Sequence, residues 1–383
     1  MTTSSISPVL DESTEHQPRA RAVLGAALAS GPSHAYLFRG PRGAGKRAAA
    51  RALAAEILAG SSEDPDDARR RALLDPSPHP DLTWLAPSGA QHMVEEVRER
   101  VIRASAYRPF EGGRRVFVIE EAEAMRDESQ NALLKTLEEP PAFVHLILVS
   151  SEPEALQETI VSRCQPVEFA RLPPDAVEAC LTGMGEPGEL STAARLSAGD
   201  IELARFLLTQ EGRKLRGEAL RLGGASGPGS ADTQRDSASD EPGADAPWRA
   251  LLRIAEEAGV RAEEETRQAL EEQAEAGVKR SQRELSEEAK RVGRRRRTEV
   301  LDLGLALISS WFRDLAAAAV GADDVVFNRD RVDELRTQAG GIDPARARRA
   351  AELVQDTRRR LDLNVSEELA LEALFFRIDR LLD

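Results

Sequence analysis

Residues 40–46, GPRGAGK, have the composition of a loop that could bind phosphate groups. They follow a short apolar run and precede a stretch with helical character, which is the context that such a loop requires. Gly40, Gly43 and Gly45 would let backbone N–H groups turn inward around phosphate oxygens. The start of the following helix adds a partial positive charge, and Lys46 would reach the outer phosphates of a nucleotide. The segment therefore predicts a nucleotide-binding loop, in shape if not in activity.

The residue after Lys46 bears on whether a cation could be held. In active enzymes with this loop it is Ser or Thr, whose hydroxyl helps to hold the Mg²⁺ that bridges the phosphates. This chain has Arg47 instead, and a guanidinium cannot ligate a cation. We therefore expect the loop to be vestigial, with no cofactor certain and with ATP and Mg²⁺ bound weakly or not at all.

An acidic pair, Glu120 and Glu121, follows a second apolar run. In an active site the first acid would help to order Mg²⁺, and the second would polarise the attacking water. Glu120 is longer than the Asp that usually stands there, so we predict a degenerate pair. Two acids after a strand are weak support alone, and they gain weight only because a phosphate loop lies upstream.

These side chains require a sheet that positions them. Short apolar runs at 35–38, 116–119 and 146–149 are each followed by polar or Gly-rich residues. Such runs are typical of buried parallel strands, whose functional edge lies at their carboxyl ends. The first 170 residues thus predict an α/β P-loop domain, with a parallel sheet flanked by helices.

A helix is predicted over residues 127–138. Asp127 opens it and Gln130 follows three residues later, which is the spacing of a capping box. Pro140 and Pro141 follow after one further residue, and proline cannot continue a helix.

The bulk composition excludes several classes of protein. The chain has 383 residues, which favours two or three domains, and its net charge of −14 argues against a surface that binds nucleic acid throughout. Two cysteines, Cys164 and Cys180, are too few for a four-thiolate zinc site or a disulfide framework, so we expect no zinc and a reducing compartment. No signal peptide and no membrane span are evident, and we expect a cytoplasmic protein without membrane contact.

Beyond residue 170 the pattern changes from alternating elements to helices. Residues 171–222 predict a small helical domain. Residues 223–247 are rich in Gly, Ser, Asp and Pro with scarcely any apolar bulk, which predicts a flexible linker. Residues 248–383 predict an all-α domain with a densely charged helical insert at 256–297.

The all-α region holds a basic block and two apolar stripes. We interpret the block at 293–297, GRRRR, as a solvated helix surface in preference to a DNA contact. The stripes predict either a bundle core or a subunit interface, and the sequence does not separate the two. They comprise Leu301, Leu305, Ile308, Phe312 and Leu315, and then Leu371, Leu374, Phe375, Ile378 and Leu382.

Residues 131–169 carry a long and specific pattern. They read NALLKTLEEPPAFVHLILVSSEPEALQETIVSRCQPVEF and closely resemble the AAA+ subunits of bacterial replicative clamp loaders. The phosphate loop, the HPDL segment and the closing LNVSEELALEALFFRI fit the same family, whereas the linker and the charged insert do not. The resemblance implies an AAA+ domain over 1–170, a helical lid over 171–222, and a collar domain over 248–383 that joins subunits.

That family contains ATP-hydrolysing motor subunits, gamma or tau, and a non-motor kind that resembles a stator. Arg47 departs from the motor pattern, as does the EEAEAM segment, which lacks the usual Asp-Glu-x-His form. The lid segment SAGDIELARF has Glu202 where a motor subunit carries a sensor arginine. Family members usually also carry a four-cysteine zinc module, and the equivalent region at 60–80 has no cysteine.

The Ser162-Arg163-Cys164 motif, in contrast, is intact. By resemblance, Arg163 is an arginine finger that points at the γ-phosphate of ATP held by a neighbouring motor subunit. Arginine suits this role because its planar fork stays charged and can contact two oxygens. The alternative is that Arg163 is an ordinary surface or salt-bridge residue.

The resemblance therefore implies a non-motor clamp-loader subunit that helps to load the sliding clamp on primed DNA during replication. Its partners would be the gamma/tau motor subunits, the delta subunit, the sliding clamp and, through the complex, primed DNA. It would be an accessory subunit of a DNA-directed DNA polymerase, a nucleotidyltransferase, without polymerase activity and with little or no ATPase. The alternatives are a divergent motor subunit that hydrolyses ATP despite Arg47, and an unrelated P-loop regulator or DNA-binding adaptor.

Overall fold

The computed structural model describes residues 7–225, 246, 248–275, 281–361 and 365–382. The described residues group into two compact units, one up to Ala176 together with Gly199–Ile201, and one made of Val177–Ala198 and the residues from Glu202 onward.

The strands are β1 (Ala35–Arg39), β2 (Leu82–Leu85), β3 (Arg115–Ile119), β4 (Val144–Ser150) and β5 (Gln165–Glu168). The helices up to β5 are α1 (Pro8–Ser13), α2 (Pro18–Ser30), α3 (Lys46–Ala59), α4 (Pro65–Leu73), α5 (Val94–Glu96), α6 (Asp127–Glu138) and α7 (Glu158–Val161), with a π-helix over Val97–Arg103. The later helices are α8 (Pro174–Cys180), α9 (Pro187–Leu196), α10 (Ile201–Leu208), α11 (Gln210–Ala225), α12 (Arg249–Glu275), α13 (Gln282–Ala319), α14 (Val332–Ala339), α15 (Pro344–Leu361) and α16 (Glu367–Leu382).

The first unit is built on a parallel sheet with the strand order β2-β3-β4-β1-β5. The central strand β1 pairs with β4 on one side and with β5 on the other, so that Leu37 lies opposite Leu148 and Pro166. This sheet and its flanking helices confirm the predicted α/β P-loop fold. The three predicted strands are present, each longer by one to three residues than its apolar run.

Alternation along β1 divides its side chains between two cores. Tyr36 and Phe38 pack on the face that α3 covers, and Ala35 and Leu37 pack on the face that α6 covers. Side chains of a strand point to opposite faces in turn, so a strand buried on both faces is apolar throughout. Because both faces are covered, the carboxyl edge of the sheet is where polar side chains can gather.

The predicted helix over 127–138 is present, but its capping box is wrong. The N-cap residue is Arg126, and it makes no side-chain capping bond. Gln130 instead donates a hydrogen bond from Nε2 to the Met125 carbonyl and accepts one at Oε1 from the backbone N–H of Gln157. The side-chain amide of Gln130 thus makes buried tertiary contacts, whereas the local pattern had assigned it to capping the N-terminus of the helix.

The second unit is helical, as predicted for the C-terminal region. Helix α13 packs against α11, α12, α14 and α15, and α16 packs against α15. The α13 stripe is fully buried, and in the α16 stripe Phe375 alone is half-buried. Both stripes therefore belong to the core of this chain.

The charged insert at 256–297 spans parts of α12 and α13, and residues 276–280 between them lie outside the described residues. Arg297 pairs with Glu256 and with Glu367 at 2.5 and 2.6 Å, and Arg295 pairs with Glu299 at 2.9 Å. Part of the basic block is therefore neutralised within the helical unit.

Two other predictions concern segments beyond the sheet. The predicted linker at 223–247 begins with the last three residues of α11, and most of it lies outside the described residues. Among the described helices, none combines the length and the apolar character that crossing a bilayer would demand.

Candidate functional site

The phosphate loop joins β1 to α3, as the sequence predicts, and α3 begins at Lys46. Gly40, Gly43 and Gly45 all have positive φ. A Cβ at Gly40 would overlap the backbone carbonyl of Phe169, and one at Gly43 would overlap the carboxyl group of Asp200. The first two glycines are thus required by close neighbours as well as by the turn.

Lys46 is buried at the floor of this loop, with 5% of its surface exposed. Its Nζ donates hydrogen bonds to the carbonyl oxygens of Gly40 and Pro41, both at 2.6 Å, and to Ser151 Oγ at 3.0 Å. Burial lowers the pKa of Lys46 to about 8, and the carboxylates of Glu123 and Asp200 only partly oppose that shift. The ammonium group is therefore held by the loop's own carbonyls.

Ser151 and Glu123 complete the floor of the site, and sequence reasoning missed both. Ser151 directly follows β4, and its backbone N–H donates to Glu123 Oε1 at 3.0 Å. A polar residue at the end of a predicted central strand was a usable signal for Ser151. The third acid of EEAEAM had no distinguishing spacing, so Glu123 could be found only from the tertiary structure.

Arg47, the residue after Lys46, contacts two acidic side chains. Its guanidinium donates to Asp75 Oδ2 at 2.8 Å, and its Nε lies 3.7 Å from Glu120 Oε1. Glu120, the acid that the sequence assigns to ordering Mg²⁺, therefore faces a positive charge from the same chain. The residues present do not fit a bound Mg²⁺, because the Arg47 guanidinium already supplies the positive charge that faces the Glu120 carboxylate.

Trp84 fixes the orientation of Glu120. Its indole Nε1 donates to Glu120 Oε2 at 2.9 Å, and the guanidinium of Arg51 lies over its ring at 4.3 Å. Arg51 also pairs with Asp75 at 3.0 Å. Trp84 and Arg51 were not predicted, since neither has a position in the loop or beside the acidic pair.

The acidic pair does not act as a pair in the structure. Glu120 points toward Arg47 and Trp84, whereas Glu121 has a left-handed backbone with φ of 48° and lies 3.6 Å from Arg42. The structure therefore brings Lys46, Arg47 and Glu120 to one edge of the sheet and turns Glu121 to a different partner.

Gln17, in the segment before α2, ties the phosphate loop to the end of the sheet. Its Nε2 donates to the carbonyls of Ala44 and Ala170 at 3.0 and 2.8 Å, and its Oε1 accepts from the Ala170 N–H at 2.9 Å. The side chain is 4% exposed. No local signal marked Gln17 before the structure placed it.

Arg163 follows α7 and makes its contacts away from the phosphate loop. Its NH2 nitrogen donates to Glu138 Oε1 at 2.7 Å, and its NH1 nitrogen donates to the Thr159 carbonyl at 2.8 Å. A third of the side chain, 34%, is exposed. Next to it, Cys164 is buried, and burial raises the pKa of its thiol to about 12, which fits a packing role rather than a nucleophile.

Metal ligands do not gather anywhere in the part of the chain that the structure describes. Within those ranges, no group of three or more His, Cys, Asp or Glu side chains is arranged to hold an ion.

The match to known proteins falls on the same sheet domain. Residues 16–173 match the model of a family described as DNA polymerase III, delta subunit. The delta' subunit of Bacillus subtilis is 33% identical over 173 residues, which is 44% of this chain and 51% of that protein. Over this region, the chain is similar to delta' subunits of DNA polymerase III. The delta' subunit of Pseudomonas aeruginosa is 39% identical over 140 residues, 34% of this chain and 42% of that protein.

The chain is also similar to other subunits of DNA polymerase III. The gamma/tau subunit of Mycobacterium tuberculosis is 36% identical over 175 residues, 44% of this chain and 30% of that protein. Among solved structures, a gamma subunit-related protein of Thermotoga maritima is 14% identical with a TM-score of 0.44, over 95% of this chain and 100% of that one. The chain spans about half the length, or less, of the curated relatives described here.

Proposed function

We propose that this chain is a non-motor, stator-like subunit of a clamp loader that helps to place a sliding clamp on primed DNA. Its own nucleotide site does not hydrolyse ATP, and it supplies Arg163 to the ATP site of a neighbouring motor subunit. The similarity of the sheet domain to delta' subunits supports the setting. Its partners are gamma/tau motor subunits, a delta subunit, the clamp and, through the complex, DNA.

One observation carries the proposal, which is the position of Arg47. The guanidinium lies 3.7 Å from Glu120 and is held by Asp75, so the acid needed for Mg²⁺ already faces a cation of the same chain. Phosphoryl transfer depends on the metal to neutralise charge between the phosphates. A site that cannot place the metal keeps its fold and loses the reaction.

Arg163 has the chemistry of a residue that acts on a neighbouring site. It is partly exposed, and in the isolated chain Glu138 pairs with one nitrogen of its guanidinium. A phosphate brought by a neighbouring subunit would compete with that carboxylate for the guanidinium, because both are anions that accept charge-assisted hydrogen bonds from it. Arginine fingers of this kind contribute about 10³–10⁵ in rate.

The organisation that goes with this proposal has four parts. Residues 1–170 form the AAA+ domain, 171–222 the lid, and 248–383 the collar that joins neighbouring subunits, with the predicted linker at 223–247 between the lid and the collar. The buried α13 and α16 stripes support a stable helical core for the collar.

The test is the ATPase rate of a reconstituted loader with clamp and primed DNA. Arg163→Ala is expected to lower the rate of the complex by at least about tenfold, a small part of what a finger contributes, while Lys46→Ala leaves it unchanged. The chain alone is expected to show no turnover. Arg70→Ala is the matched control, since Arg70 is an exposed arginine of the same unit, paired with Asp67.

A divergent motor subunit is the second candidate, and the 36% identity to a gamma/tau subunit favours it. It predicts that the chain alone hydrolyses ATP and that Lys46→Ala abolishes the activity. That result, or an Arg163→Ala complex with the rate of the Arg70→Ala complex, would contradict the proposed function.

A further inference from the structure

The phosphate loop is in contact with a carboxylate from a distant part of the same chain. Asp200 lies so close to Gly43 that a Cβ added to this glycine would overlap the Asp200 carboxyl group. The backbone N–H of Ile201 also donates to the Gly43 carbonyl at 3.4 Å. Gly199–Ile201 belongs to the same compact unit as the loop.

The position of this carboxylate matters because of what the loop is built to attract. Helix α3 begins at the end of the loop, and the first turn of a helix favours an anion there. Asp200 lies near enough to Lys46 to favour the charged form of that ammonium group. A carboxylate and a phosphate present the same kind of acceptor oxygen, so the two would compete for the same surroundings.

We infer that Asp200 is an internal anion that occupies the approach to the phosphate loop and excludes nucleotide phosphates from it. Two effects act together. The carboxyl group takes up space over Gly43, and its negative charge repels an incoming polyphosphate. Arg47 lies beside Glu120, with 3.7 Å between Nε and Oε1, so the loop has a cation of its own as well as an anion.

This inference deepens the proposed function and rests on it in one respect, since it treats the loop as a site that need not accept ATP. It adds a specific residue, Asp200, that lies outside the loop and outside the acidic pair. It also explains the presence of glycine at position 43 without any bound nucleotide, because only glycine leaves room for the carboxyl group.

The first test measures binding of inorganic tripolyphosphate to the full chain by calorimetry, without Mg²⁺. Asp200→Asn keeps the shape of the side chain and removes its charge. We expect this variant to bind tripolyphosphate at least about tenfold more tightly than the unmodified chain, because a like charge beside the site is gone. Asp175→Asn makes the same change of net charge at an exposed position in the same unit and is the control.

Absence of a gain overturns the inference, whether both chains bind tripolyphosphate equally or neither binds it. An equal gain in Asp175→Asn overturns it too, because the effect would then come from net charge. Far-ultraviolet circular dichroism confirms that each variant is folded.

A second test needs no ligand. Gly43→Ala is expected to destabilise the chain strongly, because its Cβ would collide with Asp200. In an Asp200→Gly background the same substitution should retain only the cost of its positive φ. A double-mutant cycle measured by urea unfolding gives the coupling between the two positions. A coupling indistinguishable from zero would show that Asp200 does not lie against the loop.

The two proposals fail separately. If Asp200→Asn gains no affinity for tripolyphosphate while the loader still depends on Arg163, the internal anion is wrong and the non-motor function stands. If Asp200→Asn binds tripolyphosphate more tightly while Arg163→Ala leaves the loader ATPase unchanged, the internal anion stands and the proposed role of Arg163 is wrong.

Discussion

Lys46 donates a hydrogen bond to Ser151 across 3.0 Å and so joins the loop after β1 to the end of β4. The same ammonium group is bound to two carbonyls of its own loop. A lysine that would contact phosphates in an active site here closes the floor of the site. These three hydrogen bonds help to hold the loop in place.

The first prediction is a pH dependence of stability that comes from Lys46. Its pKa is lowered from 10.5 to about 8 in the folded chain, so between these values the unfolded chain binds more protons. The free energy of unfolding therefore increases, and the fold becomes more stable, as the pH rises through that window. Below pH 8 the cost of burying the charged ammonium group is fully present. Urea unfolding of the unmodified chain and of Lys46→Met, from pH 7 to pH 10, measures this contribution as the difference between the two curves.

Lys135→Met is the control for this measurement, because Lys135 is exposed on α6. Its curve should run parallel to that of the unmodified chain. A Lys46→Met curve that is also parallel would mean that burial does not shift Lys46.

The second prediction concerns the crossing of α12 and α13. A Cβ at Gly259 would lie 2.9 Å from the carbonyl oxygen of Gly293, and a Cβ at Gly293 would lie 2.8 Å from that of Gly259. Either substitution to alanine forces two backbones apart, which we expect to cost about 1–3 kcal/mol of unfolding free energy. Gly217→Ala is the matched control in α11, because nothing lies within 4 Å of the added atom.

For Gly217→Ala, the expectation is a gain of about 0.4–1 kcal/mol, since alanine restricts the unfolded chain and favours the helix. Chemical denaturation of the three variants gives the comparison. If all three shift in the same direction, the close crossing of α12 and α13 is not what the two glycines provide.

The third prediction separates the two cysteines by reactivity. Cys164 is 6% exposed and its pKa is raised to about 12 by burial, whereas Cys180 is half-buried at the end of α8. The thiolate is the reactive form, so N-ethylmaleimide at pH 8 should modify Cys180 at least about tenfold faster. Peptide mass spectrometry of briefly labelled native protein measures both rates.

Cys180→Ser should leave native labelling close to background, and labelling in guanidinium chloride should then reveal Cys164. Rapid modification of Cys164 in the native chain would show that the segment around Arg163 opens readily.

The sequence alone determined the parts of the fold whose information is local. Apolar runs gave three strands within a few residues of their observed bounds, and the stop at Pro140 placed the end of α6. The Gly-rich loop between a strand and a helix could also be predicted, because turn geometry and the alternation of burial depend on residues that are neighbours in the sequence. The family pattern over 131–169 likewise lies in one stretch.

What the tertiary structure decided are the contacts between residues that are far apart in the chain. Arg47 could be recognised from the sequence as a departure from the Ser or Thr of active loops. Its contacts with Asp75 and Glu120, however, depend on how three parts of the chain pack together, namely α3, the segment that precedes β2, and the end of β3. The Gln130 amide was assigned to a capping box because the spacing matched, and it bonds instead to a segment that only folding brings near. Asp200 against Gly43 had no signal in the sequence, since neither spacing nor composition tells which acid of a later segment will reach a loop. Local patterns fix elements through backbone preferences and burial, whereas the charges that fill a site are set by the packing of those elements.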